Sequence, residues 1–229
     1  MKDKNETFRH ELKYRISLAD YYAIRQRLRP VMKPDEHTRA DGQYVIRSIY
    51  FDNVHDKALR EKINGVQKRE KFRIRYYNDD FSFLTLEKKI KRSSLCMKID
   101  AGLMEEECRA MLAGDTGWMI SHPSGLVREL YCKMKTRGLR PKTIVDYVRE
   151  PYVFRPGNVR VTLDYNIRTG LFCTDFLNPG CVTVPAGGDL VILEVKWDAF
   201  LPSVIRDAVQ LKGRHTAAFS KYAACRIYG

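Results

Sequence analysis

The stretch Val66 to Tyr77, VQKREKFRIRYY, constrains this chain more than any other. Along a β-strand, residues two apart share a face. Read as a strand, this stretch puts Arg69, Lys71, Arg73 and Arg75 on one side. Lys68, Glu70, Phe72, Ile74 and Tyr76 fall on the other. Its C-terminal half therefore has an apolar face backed by a row of positive charge.

The same division recurs. In Phe8 to Tyr14, Arg9, Glu11 and Lys13 oppose Phe8, His10, Leu12 and Tyr14. In Phe81 to Lys91, Glu87, Lys89 and Lys91 share a face with Phe81, Phe83 and Thr85, opposite Ser82, Leu84, Leu86, Lys88 and Ile90. In Asn158 to Tyr165, Arg160, Thr162 and Asp164 oppose Val159, Val161 and Leu163. In Leu190 to Trp197, Glu194, Lys196 and Ile192 oppose Val191, Leu193, Val195 and Trp197. For one strand alone, a solvated charged face would explain this, because antiparallel sheets commonly wet one side. Five such strands argue otherwise. A solvated face mixes signs, and like charges side by side repel. Arg-rich rows without matching acids need an anion between them, and phosphate oxygens match the guanidinium fork. Glu11, Glu87, Asp164 and Glu194 add hard oxygen ligands suited to Mg²⁺ or Mn²⁺. The alternative for each acid is a salt bridge to a neighbouring Arg or Lys. That alternative is weakest for Glu194, on a strand flanked by apolar residues.

Composition supports a polyanionic partner. Lys and Arg number 41 against 28 Asp and Glu in 229 residues, a formal +13. Nucleic acid, an anionic membrane and phosphate-rich small molecules all fit that excess. Nucleic acid is the poorer fit, because base stacking needs exposed aromatics among the cations. Tyr76 and Tyr77 are the only close candidates, and Tyr76 falls on the apolar face.

Strands are predicted at Thr7 to Ile16, Gln43 to Asp52, Val66 to Tyr77, Phe81 to Lys91, Lys142 to Phe154, Asn158 to Arg168 and Leu190 to Trp197, with a short one at Leu95 to Ile99. Asn64-Gly65 and Asn78-Asp79-Asp80 read as turns. Helices are predicted from the Ser17 cap to Pro30, and over Val54 to Ile63, Ala101 to Ala113, Ser124 to Arg137, Pro202 to Leu211 and Ala217 to Ile227. Asn178 to Asp189 reads as a surface loop. No linker divides the chain, so residues 1–229 are expected to form a single domain of α+β class. Its expected architecture is an eight-stranded antiparallel β-barrel tunnel with peripheral helices.

The six cysteines form no C-x-x-C pair, and no His pair sits at zinc spacing. They are expected to be reduced thiols in a cytoplasmic protein. The five histidines pair with no acid at motif spacing and are expected to be surface or packing residues. No apolar run approaches the roughly 18 to 20 residues that cross a bilayer, and the polar segment Met1 to His10 is no signal peptide.

Taken in order, these residues resemble the VTC domain of polyphosphate polymerases, in the triphosphate tunnel metalloenzyme superfamily. The matching pieces are Arg9-His-Glu11-Leu-Lys13-Tyr14, Ser48-Ile-Tyr50-Phe51-Asp52, Lys71-Phe-Arg73-Ile-Arg75-Tyr76 and Leu86-Glu87-Lys88-Lys89. They continue with Tyr147-Val-Arg149-Glu-Pro-Tyr152, Arg160-Val-Thr162-Leu-Asp164, Leu193-Glu194-Val-Lys196 and Ser220-Lys221-Tyr222. The resemblance implies transfer of the γ-phosphoryl group of ATP to a growing polyphosphate chain inside a basic tunnel, with Mn²⁺ or Mg²⁺. It implies that Lys13, Arg73, Arg75 and Lys89 cradle the triphosphate, assisted by Lys71, Lys98 and Lys196. Arg149 and Arg160 would stabilise the transferring group and guide the chain. Ser220 and Lys221 would contact phosphate, and Glu194 would hold the metal.

Two departures bear on this. Relatives in the superfamily that hydrolyse triphosphate or cyclise nucleotides begin with Glu-x-Glu-x-Lys, and the first of those positions here is Arg9. Chain handling is therefore favoured over hydrolysis. The sequence also carries no membrane span, so coupling synthesis to export would need a separate membrane protein, with this domain at the inner face of the membrane. Two alternatives stay open: a tunnel-type triphosphatase or polyphosphatase, and a non-catalytic module that binds polyphosphate or inositol phosphates.

Overall fold

A computed structural model describes residues 8–93, 95–211, 213–216 and 218–226. The expected element ends Thr7, Ala217 and Ile227 lie outside them. The strands are β1 (His10–Ile16), β2 (Lys33–Pro34), β3 (Tyr44–Asp52), β4 (Lys68–Tyr77), β5 (Asp80–Arg92), β6 (Leu95–Leu103), β7 (Arg140–Phe154), β8 (Val159–Thr169), β9 (Val184–Pro185) and β10 (Val191–Trp197). The helices are α1 (Leu18–Leu28), α2 (Lys57–Ile63), α3 (Glu105–Leu112), α4 (Gly125–Arg137), α5 (Ser203–Val209) and α6 (Lys221–Cys225).

Local chemistry accounts for many of these boundaries. Asn78 and Asp79 both take left-handed φ angles, 53° and 58°, and join β4 to β5. Two such residues make the tight turn whose twist matches a hairpin. Ser17 caps α1 reciprocally with Asp20. The Asp52 carboxylate accepts the backbone N–H groups of Ala58 and Leu59, and the Asn53 side chain accepts those of His55 and Lys57. This capping delays α2 to Lys57, later than the predicted Val54. The strand expected to stop at Ile99 runs on to Leu103, because Ala101 and Leu103 pair with Leu86 and Leu84. The helix expected from Ala101 therefore starts at Glu105. The loop expected at Asn178 to Asp189 contains β9, which pairs with the end of β8.

All ten strands form one antiparallel sheet, in the order β1-β10-β8-β7-β3-β4-β5-β6, with β2 on β7 and β9 on β8. The sheet curls strongly. Lys89 on β5 reaches Glu11 on β1, near the opposite end of that order, at 2.7 Å. Yet the expected closed barrel does not form. The ladder ends at β1 and β6, and these edges share one bridge, Arg9 with Cys96, through bonds of 3.1 and 3.3 Å. The register explains this. Among the described residues, Arg9, just before β1, is the one that bridges to β6, at Cys96.

Helices α1, α3, α4 and α5 cover the convex face. Phe72, Ile74, Tyr76 and Leu86 pack beneath α3 and α4, against Cys108, Met111, Val127 and Leu130. Val161, Leu163, Leu193 and Val195 pack beneath α1 and α5, against Ile24, Leu28 and Ile205. Each such buried side chain contributes about 1.5–3 kcal/mol by leaving water. That gain fixes which face of each strand points outward, and the charged rows are left to line the concavity. A third cluster joins Ile46, Tyr147 and Ile192 to Tyr222 and Cys225 of α6. Ile46 and Ile192 pair with Tyr147 and Asp164 on the concave face, so α6 fills part of the hollow.

Candidate functional site

The ladder register assembles the concave face row by row. Lys13 lies opposite Glu194, which lies opposite Thr162. Glu11 lies opposite Lys196, which lies opposite Arg160. Across the hollow, Lys71, Lys89 and Lys98 form one row, and Arg73, Glu87 and Asp100 the next. Every expected cation reaches this face, all from strands except Lys221, which enters from α6.

Three carboxylate-centred clusters result. In the first, Lys13 lies 2.7 Å from Glu11 and 3.0 Å from Glu194. Lys89 holds Glu11 at 2.7 Å, and Lys196 pairs with Glu194. Burial and the Glu194 charge push the Glu11 carboxyl up, but Lys89, Lys13 and Lys196 overcome them and hold it well below its usual range. Burial opposes the charge on Lys13, yet Glu194 and Glu11 raise its pKa, so it stays an ammonium.

In the second cluster, Glu87 is 1% exposed and takes Arg73 and Arg75 at 2.7 Å each and Lys98 at 3.1 Å. Burial opposes its ionisation, and Arg73, Arg75 and Lys98 outweigh burial. In the third, Asp164 is fully buried, with Arg149 at 2.6 Å and Lys221 at 2.5 Å. Lys221 also sits over the Tyr147 ring, 4.5 Å from its centroid.

Each carboxylate or pair is outnumbered by its cations, so the hollow carries uncompensated positive charge. Lys71 shows this most directly. Among the described residues it has no carboxylate partner. It lies 5.3 Å from the Tyr50 ring centroid, opposite Lys89 in the ladder. Burial first, then Lys89, Arg73 and Lys13, hold its pKa well below the usual lysine value. Four buried polar atoms on this face lack a hydrogen-bond partner among the described residues: Ser48 Oγ, Thr162 Oγ1, Arg75 Nε and Arg160 Nε. Buried polar groups are nearly always satisfied, so unpartnered donors beside excess cations mark a place for an anion.

Some residues take other partners. Arg160 reaches Asp35 at 3.0 Å and the Tyr44 hydroxyl at 2.5 Å. Ser220 caps α6 by accepting the Ala223 N–H at 3.3 Å. Arg69 turns back to the Val66 carbonyl, and Arg9 pairs with Asp198 at 2.6 Å. Sequence reasoning assigned no role to Ser48, Tyr50 or Asp35. Ser48 and Tyr50 could have been found, since parity and register set them beside Arg75 and Arg73. Asp35 follows a two-residue strand that leaves no periodic signal.

A metal would find few protein ligands. Among the described residues no three His, Cys, Asp or Glu side chains gather as a ligand set. Glu11 and Glu194, bridged by Lys13, are the hard-oxygen pair. One or two carboxylates completed by water and phosphate oxygens is the usual protein complement for Mg²⁺, so this donor set fits.

No curated protein matches the chain. The PH1012 protein of Pyrococcus horikoshii shares its fold, with a TM-score of 0.50 at 13% identity, over 93% of this chain and 96% of that one. A Bacillus halodurans protein provisionally named as an adenylate cyclase gives a TM-score of 0.49 at 13% identity, over 83% and 81%. The VTC domain family matches residues 8–227, nearly the whole sequence. The chain belongs to the VTC domain family.

Proposed function

We propose that this domain is a polyphosphate polymerase that moves the γ-phosphoryl group of ATP onto a growing phosphate chain. The observation that carries this reading is the surplus of mostly half-buried cations with unpartnered donors along one concave face. A triphosphate supplies the missing anions. Lys13, Lys71, Arg73, Arg75, Lys89 and Lys98 surround its oxygens, and each charge-assisted hydrogen bond contributes about 1.5–3 kcal/mol. Arg149, Arg160 and Lys196 line the remaining wall and take the acceptor chain, with Lys221 and Ser220 beside them.

Phosphoryl transfer asks the protein chiefly for positioning and charge neutralisation. A terminal phosphate oxygen of the chain attacks the γ-phosphorus, the β–γ bridging P–O bond breaks, and ADP leaves. The attacking oxygen is already anionic, so no general base is needed. Glu194, with Glu11, is the assigned ligand set for Mn²⁺ or Mg²⁺, which when bound offsets charge on the phosphate oxygens. With a cation held by these acids, Lys13 would be free to meet phosphate. If the product is exported, a membrane protein is the expected partner, with this domain at the inner face.

Hydrolysis on the same surface is the second reading. Arg9, engaged with Asp198 in place of an acid on β1, weighs against it. Incubation of the purified protein with ATP and Mn²⁺, with and without a short polyphosphate primer, tests both. Long chains on a gel support the polymerase. Free phosphate without chains supports the hydrolase. Tight tripolyphosphate binding with neither product leaves a binding module.

A further inference from the structure

Opposite the charged hollow, the loop from Gly170 to Thr183 carries chemistry the proposed function does not use. It joins β8 to β9 and closes on itself so that Cys173 Sγ and Cys181 Sγ lie 3.0 Å apart. Both side chains are half-buried, and the neighbouring Phe172 and Val182 are exposed at 74% and 80%, so small reagents reach the pair. We propose that Cys173 and Cys181 form a dithiol modification site, closed to a reversible disulfide by low-molecular-weight disulfides of the glutathione class.

The backbone holds the two sulfurs together. The Cys173 N–H donates to the Gly170 carbonyl at 2.8 Å, and the Cys181 N–H to the Asn178 carbonyl at 3.0 Å. Between them the Asn178 side chain bonds Asp175 at 2.8 Å and accepts the Gly180 N–H at 2.9 Å. Both cysteines also pack at the edge of the core beneath which Phe176 is fully buried. An S–S bond is about 2.05 Å long, so closure needs roughly 1 Å of approach within a loop already folded for it.

The geometry assigns an order to the exchange. Cys173 Sγ accepts the Asp175 N–H at 3.4 Å. Burial and then Cys173 push the Cys181 thiol up to about 11. Cys173 therefore attacks the small disulfide RS–SR, forming a Cys173–SR mixed disulfide and releasing RS⁻. Cys181 then loses its proton and attacks Cys173 Sγ, releasing the second RS⁻. Two thiols are oxidised, one small disulfide is reduced to two thiols, and the electrons balance.

Closure clips the segment that supports the back of the site. Its Phe176 packs on Tyr76 with centroids 4.9 Å apart, and its Asn178 carbonyl accepts from Arg47 at 2.6 Å. Tyr76 follows Arg75 on β4, so the clip fixes the outer wall behind that cation.

The test is to incubate the full chain with oxidised glutathione, block free thiols, and map peptides by mass. A Cys173–Cys181 peptide should dominate, two fewer thiols should react, and Tm should rise by roughly 5 °C. Dithiothreitol should reverse all three. Cys181→Ser should leave a glutathione adduct on Cys173 with no loop disulfide, whereas Cys132→Ser, at an exposed site on α4, should leave the Cys173–Cys181 cross-link unchanged. A full complement of reactive thiols after treatment, a stable mixed disulfide in the wild type, or a cross-link through another cysteine would each overturn the proposal.

Discussion

The Arg149 guanidinium holds the Asp164 carboxylate through two hydrogen bonds, of 2.6 and 2.7 Å, at the floor of the concave face. Asp164 has no contact with solvent, and Lys221 of α6 shares it. Removing one partner of a buried pair leaves an uncompensated charge, at a typical cost of about 3–5 kcal/mol. Asp164→Ala should therefore destabilise the protein by about that amount in urea unfolding. Replacing Asp164 and Arg149 together by Leu and Met should recover much of the loss.

Arg75 and Arg69 sit in one row of β4 but face different fates. Arg75 points into the hollow with an unpartnered Nε, and Arg69 turns to a backbone carbonyl at the rim. Arg75→Ala should weaken tripolyphosphate binding by about 10- to 100-fold, the range one charge-assisted hydrogen bond implies. Arg69→Ala should change it by less than about threefold. Equal effects by calorimetry would refute a cavity site.

Glu194→Gln should separate binding from turnover. It removes a negative charge that occupies Lys13 and Lys196. Metal-free tripolyphosphate should bind more tightly to the variant, while chain formation from ATP and Mn²⁺ should drop by at least tenfold. Full activity in the variant would rule out the assigned metal ligand.

Lys71 should couple anion binding to proton uptake. Lys89 on β5, Arg73 on β4 and Lys13 on β1 face it and disfavour its charge, with Glu11 opposing them and Tyr50 beneath. A bound phosphate reverses that balance and raises its pKa, so binding takes up a proton and strengthens as pH falls toward neutrality. Calorimetry in buffers of different ionisation enthalpy reads this uptake directly, and Lys71→Met should abolish it. For stability the sign is opposite. The unfolded lysine binds its proton more tightly, so stability rises with pH up to the usual lysine pKa, about 10.4.

Acid should unfold the protein through Glu87. Its folded pKa lies below the ordinary value of 4.5, so its contribution is present above that pH and lost as pH falls further. Denaturation midpoints should be flat from pH 7 to 5 and decline below about 4.5. Glu87→Gln should flatten that decline.

Much of the site was legible because strand parity is a rigid rule. The row Lys71, Arg73, Arg75 needed only alternation to be assigned to one face, and the apolar gain on the other face fixed which way it pointed. Barrel closure was not legible. Alternation reports which face a residue takes and is silent on stagger between strands far apart in sequence, so β1 and β6 looked able to pair along their length, whereas the described residues share one bridge. Ser220 shows the other limit. A serine before a helix can cap it or bind phosphate, and the sequence does not distinguish the two. The Asp35–Arg160 pair joins residues far apart in the chain, with no motif between them.

Beside the one backbone bridge from Arg9 to Cys96, a side-chain pair crosses from β1 to β5 over the seam between β1 and β6. A backbone ladder ignores ionic strength, but the Lys89–Glu11 pair that spans this gap is an electrostatic latch. Salt, or an anion that claims Lys89, loosens it, and the hollow gains a lengthwise slit. A polymer could then be laid in from the side at any point along its length, with no free end to thread. Amide hydrogens on the facing edges should accordingly exchange faster with added salt, while those of β3 and β7 stay protected.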